Sequence, residues 1–485
     1  MDDPRVIQLR DEREARRQLL RELGCVVAPA AADEDEAVPP RELDVEAIRD
    51  LRRRVRENPE LWKPTPPHIL GSQPTEEAVD RLLSDVEDFL ADPMGSLAEH
   101  RETRAATDEP FPLPERCQFD GYDPVGIPIQ MGRTDMQDGD YLGWAVSWAA
   151  SRVYALRHRK PRLPQSAHDF TYDLRSRDDV ATVGLFGDWA TGYYHSRYIA
   201  KHLASMAPDQ AIHLGDVYYA GSPRELGDHL AAPLDGLLAQ CPVYLMNANH
   251  EMMHEGIPYL DFIRAKHDAA RQPQESTYFC LRNTHYQVIG IDTAFHESGR
   301  HPDTQIQGWL MSRLAEGRRE KKINILLSQN EPYSKGMIQK LLSADLREAV
   351  LEQKLVDLWF WGDEHYCALY GPGAAAPFIG CCIGHGGYPY PRRTRQELEP
   401  PLGVATLLWG ETAARFPKHI ARSRQDVGNN GFCWMELKPL EVALTFYDWR
   451  RQIRYAIRIA VKDGGLILPE VLPTPSSEEG TCNHG

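Results

Sequence analysis

The chain has 485 residues, 42% of them hydrophobic and 26% charged, the balance of a globular protein long enough for one large domain plus extensions. Its formal net charge of −16 argues against nucleic acid as a partner, and no apolar run reaches the length of a membrane span. The nine cysteines match neither a zinc spacing nor a disulfide framework, so they are expected as reduced core thiols in a cytoplasmic protein.

The N-terminus, MDDPRVIQLRDEREARRQLL, is charged throughout and lacks the apolar segment of a secretory signal. Residues 6–24 have the spacing of an amphipathic helix, and the acidic, Pro/Ala-rich stretch Pro29 to Pro40 is a linker. Leu43 to Asn58 and Thr75 to Leu90 again have helical apolar spacing. Asp108 to Asp138 is rich in Pro, Gly and Asp and reads as irregular. Tyr141 to Arg157 is a further helix with Trp144 and Trp148 on one face. Residues 1–178 are therefore expected to be a mostly helical extension, a structural cap or an oligomer contact.

The pattern changes at Asp179. VATVGLFGDWATG is a short strand closed by Gly-Asp, with a helix from about His195 to Met206. QAIHLGDVYYAG repeats strand and Gly-Asp, a helix covers Arg224 to Leu238, and CPVYLMNANHE is a third strand with polar residues at its end. HYQVIGIDTAF, KINILLSQNEPYS and LVDLWFWGDEHY continue the scheme. Strands alternating with helices, with chemistry at the strands' carboxyl ends, describe a layered α/β domain over 179–463. From Phe432 onward the alternation predicts antiparallel strands with a turn near Pro439, and residues 464–485 read as a disordered tail.

A single Gly-Asp after a strand is ordinarily a turn or a cap, and a lone His213 inside a strand reads as a satisfied core residue. The series is different. Asp188, Asp216, Asn249 with His250, Gln329 with Asn330, and Asp363 with His365 each close an apolar strand in turn. Parallel strands bring such ends to one edge of a sheet, and oxygen and nitrogen ligands gathered there suit a divalent or trivalent ion.

The order GDWATG, GDVYY, NANHE, a polar cluster after ILLS, and GDEH resembles the calcineurin-like metallophosphoesterases, whose motifs run GDx[HG], GDxxY, GNH[DE], a His-containing fourth motif, and GHxH. The resemblance spans about Val183 to Tyr390 plus the C-terminal strands. It implies a four-layer α/β/β/α sandwich and a two-metal site. Ala190 stands where many members carry a metal-binding His. Members resembling purple acid phosphatases lack that His and supply a Tyr from GDxxY, here Tyr219. The implied first metal site is Asp188, Asp216, Tyr219 and His365, a donor set that suits ferric iron.

The resemblance breaks at the second site. Asp216 and Asn249 remain, with Ala248 in place of the third motif's glycine. Gln329, beside Asn330, replaces the fourth-motif His, and Asp363 replaces the first His of GHxH. Two readings of Asp363 stay open. It is a ligand in an oxygen-only site with Asp216, Asn249 and Gln329, suited to manganese, magnesium or calcium, or the second metal is lost and Asp363 is a hydrogen-bonding partner or base. The resemblance implies that His250 protonates the leaving oxygen or stabilises the transition state. His195, His254 and Arg197 are candidates to line a substrate pocket, and His385, in a glycine-rich turn, is a candidate to replace a lost imidazole. The leading expectation is hydrolysis of a small-molecule phosphoester or related bond. The alternatives are an iron-dependent enzyme of another class on the same fold, or a scaffold with a vestigial site.

Overall fold

A computed structural model describes residues 45–57, isolated positions at 80–91, residues 149–151, and residues 169–470 except 193, 296–301, 335–336, 389 and 416–427. The expected helix at 6–24, the 29–40 linker, the irregular 108–138 stretch and residues 471–485 lie outside the described residues, as do most positions of the expected helices at 75–90 and 141–157. Within the expected extension, helix α1 (Val45–Glu57) is amphipathic. It buries Ile48 and Leu51 and pairs Arg52 with Asp80 and Glu87.

The chain divides into two bodies. One comprises Arg162–Val217, Asp228–Asn249 and Tyr259–Gly485; the other comprises Met1–Pro161, Tyr218–Gly227 and His250–Pro258. The first holds both large sheets. Its eight-stranded sheet runs in the order β1 (Thr171–Asp173), β5 (Phe279–Arg282), β6 (Tyr286–Ile291), β7 (Ile323–Ser328), β10 (Leu358–Trp361), β12 (Ile379–Ile383), β11 (Cys367–Gly371) and β13 (Thr406–Gly410). Its central strands β6, β7, β10 and β12 are parallel. The seven-stranded sheet runs β17 (Gly465–Ile467), β16 (Ile453–Lys462), β15 (Glu441–Asp448), β14 (Gly431–Lys438), β2 (Ala181–Phe186), β3 (Gln210–His213) and β4 (Val243–Leu245). There β2, β3 and β4 are parallel and the four C-terminal strands antiparallel. A two-residue ladder pairs β8 (Tyr333–Ser334) with β9 (Met337–Ile338). The turn expected near Pro439 joins β14 to β15, while β17 lies inside the stretch read as a tail.

Side chains alternate across each strand. Leu358 and Phe360 of β10 face the inter-sheet core with Val183, Leu185, Ile212, Ile325 and Leu327. Trp359 and Trp361 face outward, into a second core with Leu310 and Leu314 of helix α5 (Thr304–Arg319). A strand buried on both faces must be apolar at every position, which accounts for the run LWFW. On the other sheet, helix α2 (Tyr194–Met206) presses Leu203 onto Gly184 of β2 and packs against helix α3 (Ala232–Leu238). The layers are thus helix, sheet, sheet, helix, the fold class expected from the sequence. Helix α4 (Ile257–Lys266) completes the longer helices described. Among the described residues no helix is long and apolar enough to cross a membrane. The described cysteines, Cys241, Cys280, Cys367, Cys381, Cys382 and Cys433, are buried thiols.

His213 departs from expectation. It is fully buried in β3, its ring 5.3 Å from Phe186 and 5.8 Å from Trp189. Neither ring nitrogen has a hydrogen-bond partner among the described residues, so it is a buried but unsatisfied histidine. Burial pushes its pKa from 6.5 down to about 3. A base whose pKa falls on folding binds its proton more readily when unfolded. Its neutral form is therefore compatible with the fold above pH 6.5, and stability drains as pH falls from 6.5 toward 3. We predict that His213→Phe flattens the loss of melting temperature between pH 6.5 and pH 4 (about 1.4 kcal/mol per pH unit removed). An unchanged acid slope in the variant would contradict this.

Candidate metal centre

The site lies where strands stop. Asp188 follows β2, Asp216 follows β3, Asn247 and Asn249 follow β4, Gln329 and Asn330 follow β7, and Asp363 and His365 follow β10. All three aspartates adopt left-handed backbone conformations, with φ of 52° at Asp188, 75° at Asp216 and 62° at Asp363. That region is uncommon for residues other than glycine, and aspartate tolerates it better than a β-branched residue because its short polar side chain bonds locally. Each bend turns the chain sharply at the sheet edge. Two glycines make room. A Cβ on Gly362 would lie 2.6 Å from both Asp188 Oδ2 and Gln329 Oε1, and one on Gly384 would lie 2.8 Å from Asp188 Oδ2.

Asp188, Asp216 and His365 are all buried, and each offers one ligand atom within 4.8 Å of the other two. His365 Nε2 stands 3.5 Å from Asp188 Oδ1, and its ring stacks on Tyr388 with centroids 4.0 Å apart. The Asp363 N–H donates to Asp188 Oδ2 at 3.0 Å. Two carboxylates this close in a dry environment repel each other, and a cation is the usual remedy. Two carboxylates and an imidazole are also a chemically sensible set for a borderline or hard metal ion.

Beside this cluster is a row of amides. Gln329 Nε2 donates to Asp188 Oδ1 at 3.3 Å and Asn330 Nδ2 to Asp363 Oδ2 at 3.4 Å. The opposite ends of these amides are unmatched. Gln329 Oε1, Asn330 Oδ1 and Asn249 Oδ1 are buried without a donor among the described residues, an arrangement that costs free energy unless something electropositive faces them. Oxygen acceptors of this kind fit a hard cation. Turning the Gln329 amide over would point its oxygen at Asp188, which requires a cation between them. Asn330 is held from behind: its carbonyl accepts from Ser328 Oγ at 2.7 Å, and Ser328 Oγ in turn accepts from Trp359 Nε1 at 2.8 Å.

His195 is fully buried under the glycine turn, with Nε2 against the Gly387 carbonyl. Gly386, Gly387 and Tyr388 donate their N–H groups to the carbonyls of Gly187 and Asp188, each at 2.9 Å. Burial, and then the nearby Arg415 charge, push the His195 pKa well below its ordinary range. A neutral His195 therefore pins the turn that grips Asp188. Arg197 is half-buried on α2, its Nε without a hydrogen-bond acceptor among the described residues. His385 is buried and lies against Gly431, its Nε2 2.9 Å from where a Cβ there would stand. Burial lowers its pKa to about 4, with Glu411 opposing. It is outside the three-residue ligand cluster.

In the other body, Tyr219, His250 and His254 are buried. His250 Nδ1 meets the Tyr219 carbonyl at 2.5 Å, and His254 Nδ1 meets the Ala220 carbonyl at 2.6 Å. Sequence reasoning missed two anchors. Asp292, after β6, accepts from Thr277, Asn247 and the N–H groups of Ala294 and Phe295. It ties the ends of β4 and β6 together, although burial raises its pKa. Its signal was the strand ending GID, one more member of the series. The second, Glu225, was signalled by Ser222 three residues ahead of it, the spacing of a capping box.

Residues 181–367 match the family model described as calcineurin-like phosphoesterase. No curated protein matches the chain. Among solved structures, a purple acid phosphatase from yellow lupin (Lupinus luteus) seeds is 15% identical with a TM-score of 0.43; the match covers 60% of this chain and 55% of that one, so this chain spans about half the length of the lupin protein. GAP50, described as the anchor in the inner membrane complex of Plasmodium, is 14% identical with a TM-score of 0.44, over 59% of this chain and 90% of that one. A dimetal phosphatase from Danio rerio is 12% identical with a TM-score of 0.38, over 59% and 100%.

The crowding at Gly362 generates a test. Gly362→Ala should displace Asp188 and weaken metal binding by about 10- to 100-fold in a calorimetric titration of the full chain with manganese. Gly308→Ala, in open space on α5, should bind as the wild type does. Equal affinities for all three proteins would contradict the geometry.

Proposed function

We propose that this chain, whose residues 181–367 form a calcineurin-like phosphoesterase domain, is a metal-dependent hydrolase of small-molecule phosphoesters or related bonds. The observation that carries this reading is the buried set of Asp188, Asp216 and His365. Those three would hold the metal, and iron or manganese suits them. The amide oxygens of Asn249 and Gln329, with Asp363, are the groups we assign to a second, oxygen-ligated cation such as manganese or magnesium. Bound metal would supply Lewis acidity toward phosphoryl oxygens and a lowered pKa for water.

The residues themselves divide the remaining work. The Asp363 N–H and the glycine turn fix Asp188 from two sides. Tyr388 sets the plane of His365 by stacking. His250, next in the chain to Asn249, is assigned the proton donated to the leaving oxygen. Its Nδ1–H is engaged by a carbonyl, so transfer would occur at Nε2 of the imidazolium form, which carries a proton on both nitrogens and returns to the Nδ1–H tautomer afterwards. A second reading, a one-metal enzyme of redox or other chemistry, is favoured by one contact: Gln329 turns its nitrogen toward Asp188.

We predict that the metal-loaded chain releases phosphate from a panel of chromogenic and natural phosphoesters. Asp216→Asn should reduce turnover to background, and His250→Ala should lower kcat by about 10²- to 10⁴-fold. Wild-type turnover in both variants would remove the assignment, and oxygen consumption without phosphate release would select the second reading.

A further inference from the structure

We propose that Glu225 is a positioning residue that dictates which nitrogen of His250 and of His254 carries the proton. The two imidazoles stand one helical turn apart, at the head and end of the short helix Glu251–His254. They reach successive carbonyls of one loop, Tyr219 and Ala220. A carbonyl oxygen can only accept, so both contacts require a proton on Nδ1. In the neutral ring the lone pair is then on Nε2. Unconstrained imidazole side chains in water favour the opposite tautomer, so the loop must impose this one.

What holds the loop is a single buried carboxylate. Glu225 is fully buried and accepts the N–H groups of Tyr219, of Ala220 at 3.1 Å and of Ser222 at 2.8 Å. Its own N–H donates to Ser222 Oγ at 3.2 Å, completing a capping box ahead of Pro223. Three backbone donors converging on one side chain fix the peptide planes they belong to. The Ala220 N–H belongs to the same peptide plane as the Tyr219 carbonyl, and the next plane, which carries the Ala220 carbonyl, is held between the bonded Ala220 and Ser222 N–H groups. Gly221, at φ 61°, lies so close to the backbone of Glu251 that a Cβ there would stand 2.6 Å from the Glu251 Cα. The loop and the histidine-bearing turn are therefore packed backbone to backbone, and a shift in one moves the other.

Glutamine at 225 keeps the volume but presents an NH₂ group to at least one of the three N–H donors. That contact is repulsive and releases the loop. A merely structural cap would lower stability on loss of Glu225 and leave the imidazole protons where they were. The tautomer separates the two roles. It is read by long-range ¹⁵N–¹H correlation on the ¹⁵N-histidine-labelled full chain, with signals assigned by their disappearance in His250→Asn and His254→Asn. The wild-type signals of both residues should show a protonated Nδ1. In Glu225→Gln, with the fold verified by circular dichroism, both should shift toward a protonated Nε2. On the reading that the chain is a phosphoester hydrolase, kcat should also fall by about 10- to 100-fold, with a smaller change in KM, because the released carbonyl no longer orients the His250 ring through Nδ1. Wild-type signals with the proton on Nε2 would overturn the proposal without any variant. An unchanged tautomer in folded Glu225→Gln would overturn it too. The tautomer needs no turnover, so a chain without phosphoesterase activity would remove the functional reading and leave this test intact.

Discussion

Repulsion between two buried carboxylates is the constraint on which the centre depends. Asp188 and Asp216 are taken out of water with the His365 imidazole within 4.8 Å of both, where charge is poorly screened. A chain that places like charges in this way must balance them. Part of the balance is local: Asp188 receives a backbone N–H from Asp363 and an amide from Gln329. Such donors soften the charge without neutralising it. A cation neutralises it. The second metal expected from the resemblance loses its imidazoles here, and the groups that replace them are all oxygen-bearing.

The two sheets explain why these charges are held rigidly enough to matter. Parallel strands β2, β3 and β4 bring their ends to one edge of one sheet, and β7 and β10 do the same in the other. Packed apolar side chains between the sheets leave the strands little freedom. Each aspartate then sits on a sharp left-handed bend, so its carboxylate is aimed by backbone geometry rather than by a flexible side chain. Glycines at 362 and 384 admit the close approach that this aim requires. Behind them, His195 and the 386–388 turn fix the peptide of Asp188.

Much of this was legible in the sequence because strand ends announce themselves. The run LWFW could be recognised as a strand from composition, and its burial on both faces explains why no polar residue interrupts it. Asp188 and Asp216 stood out because each follows an apolar run as part of Gly-Asp, and the family resemblance implied grouping them with Tyr219 and His365. Contacts made by peptide groups were not legible. Nothing in GHGGYPY says that its N–H groups turn back onto residues 187 and 188. His213 read as satisfied because its strand is apolar, and only its surroundings of Phe186 and Trp189 reveal that no partner faces it among the described residues. Glu225 carries the signature of a cap, but its three-way grip on the loop follows from tertiary contact rather than spacing.

The central claim is that the buried Asp188, Asp216 and His365 cluster exists to hold a cation. Elemental analysis of the full chain, purified without chelator and after reconstitution with iron and manganese, addresses it directly. The account predicts at least one tightly held metal per chain, lost on Asp188→Asn while the fold is retained. A folded wild-type chain that takes up no metal under either condition would contradict it.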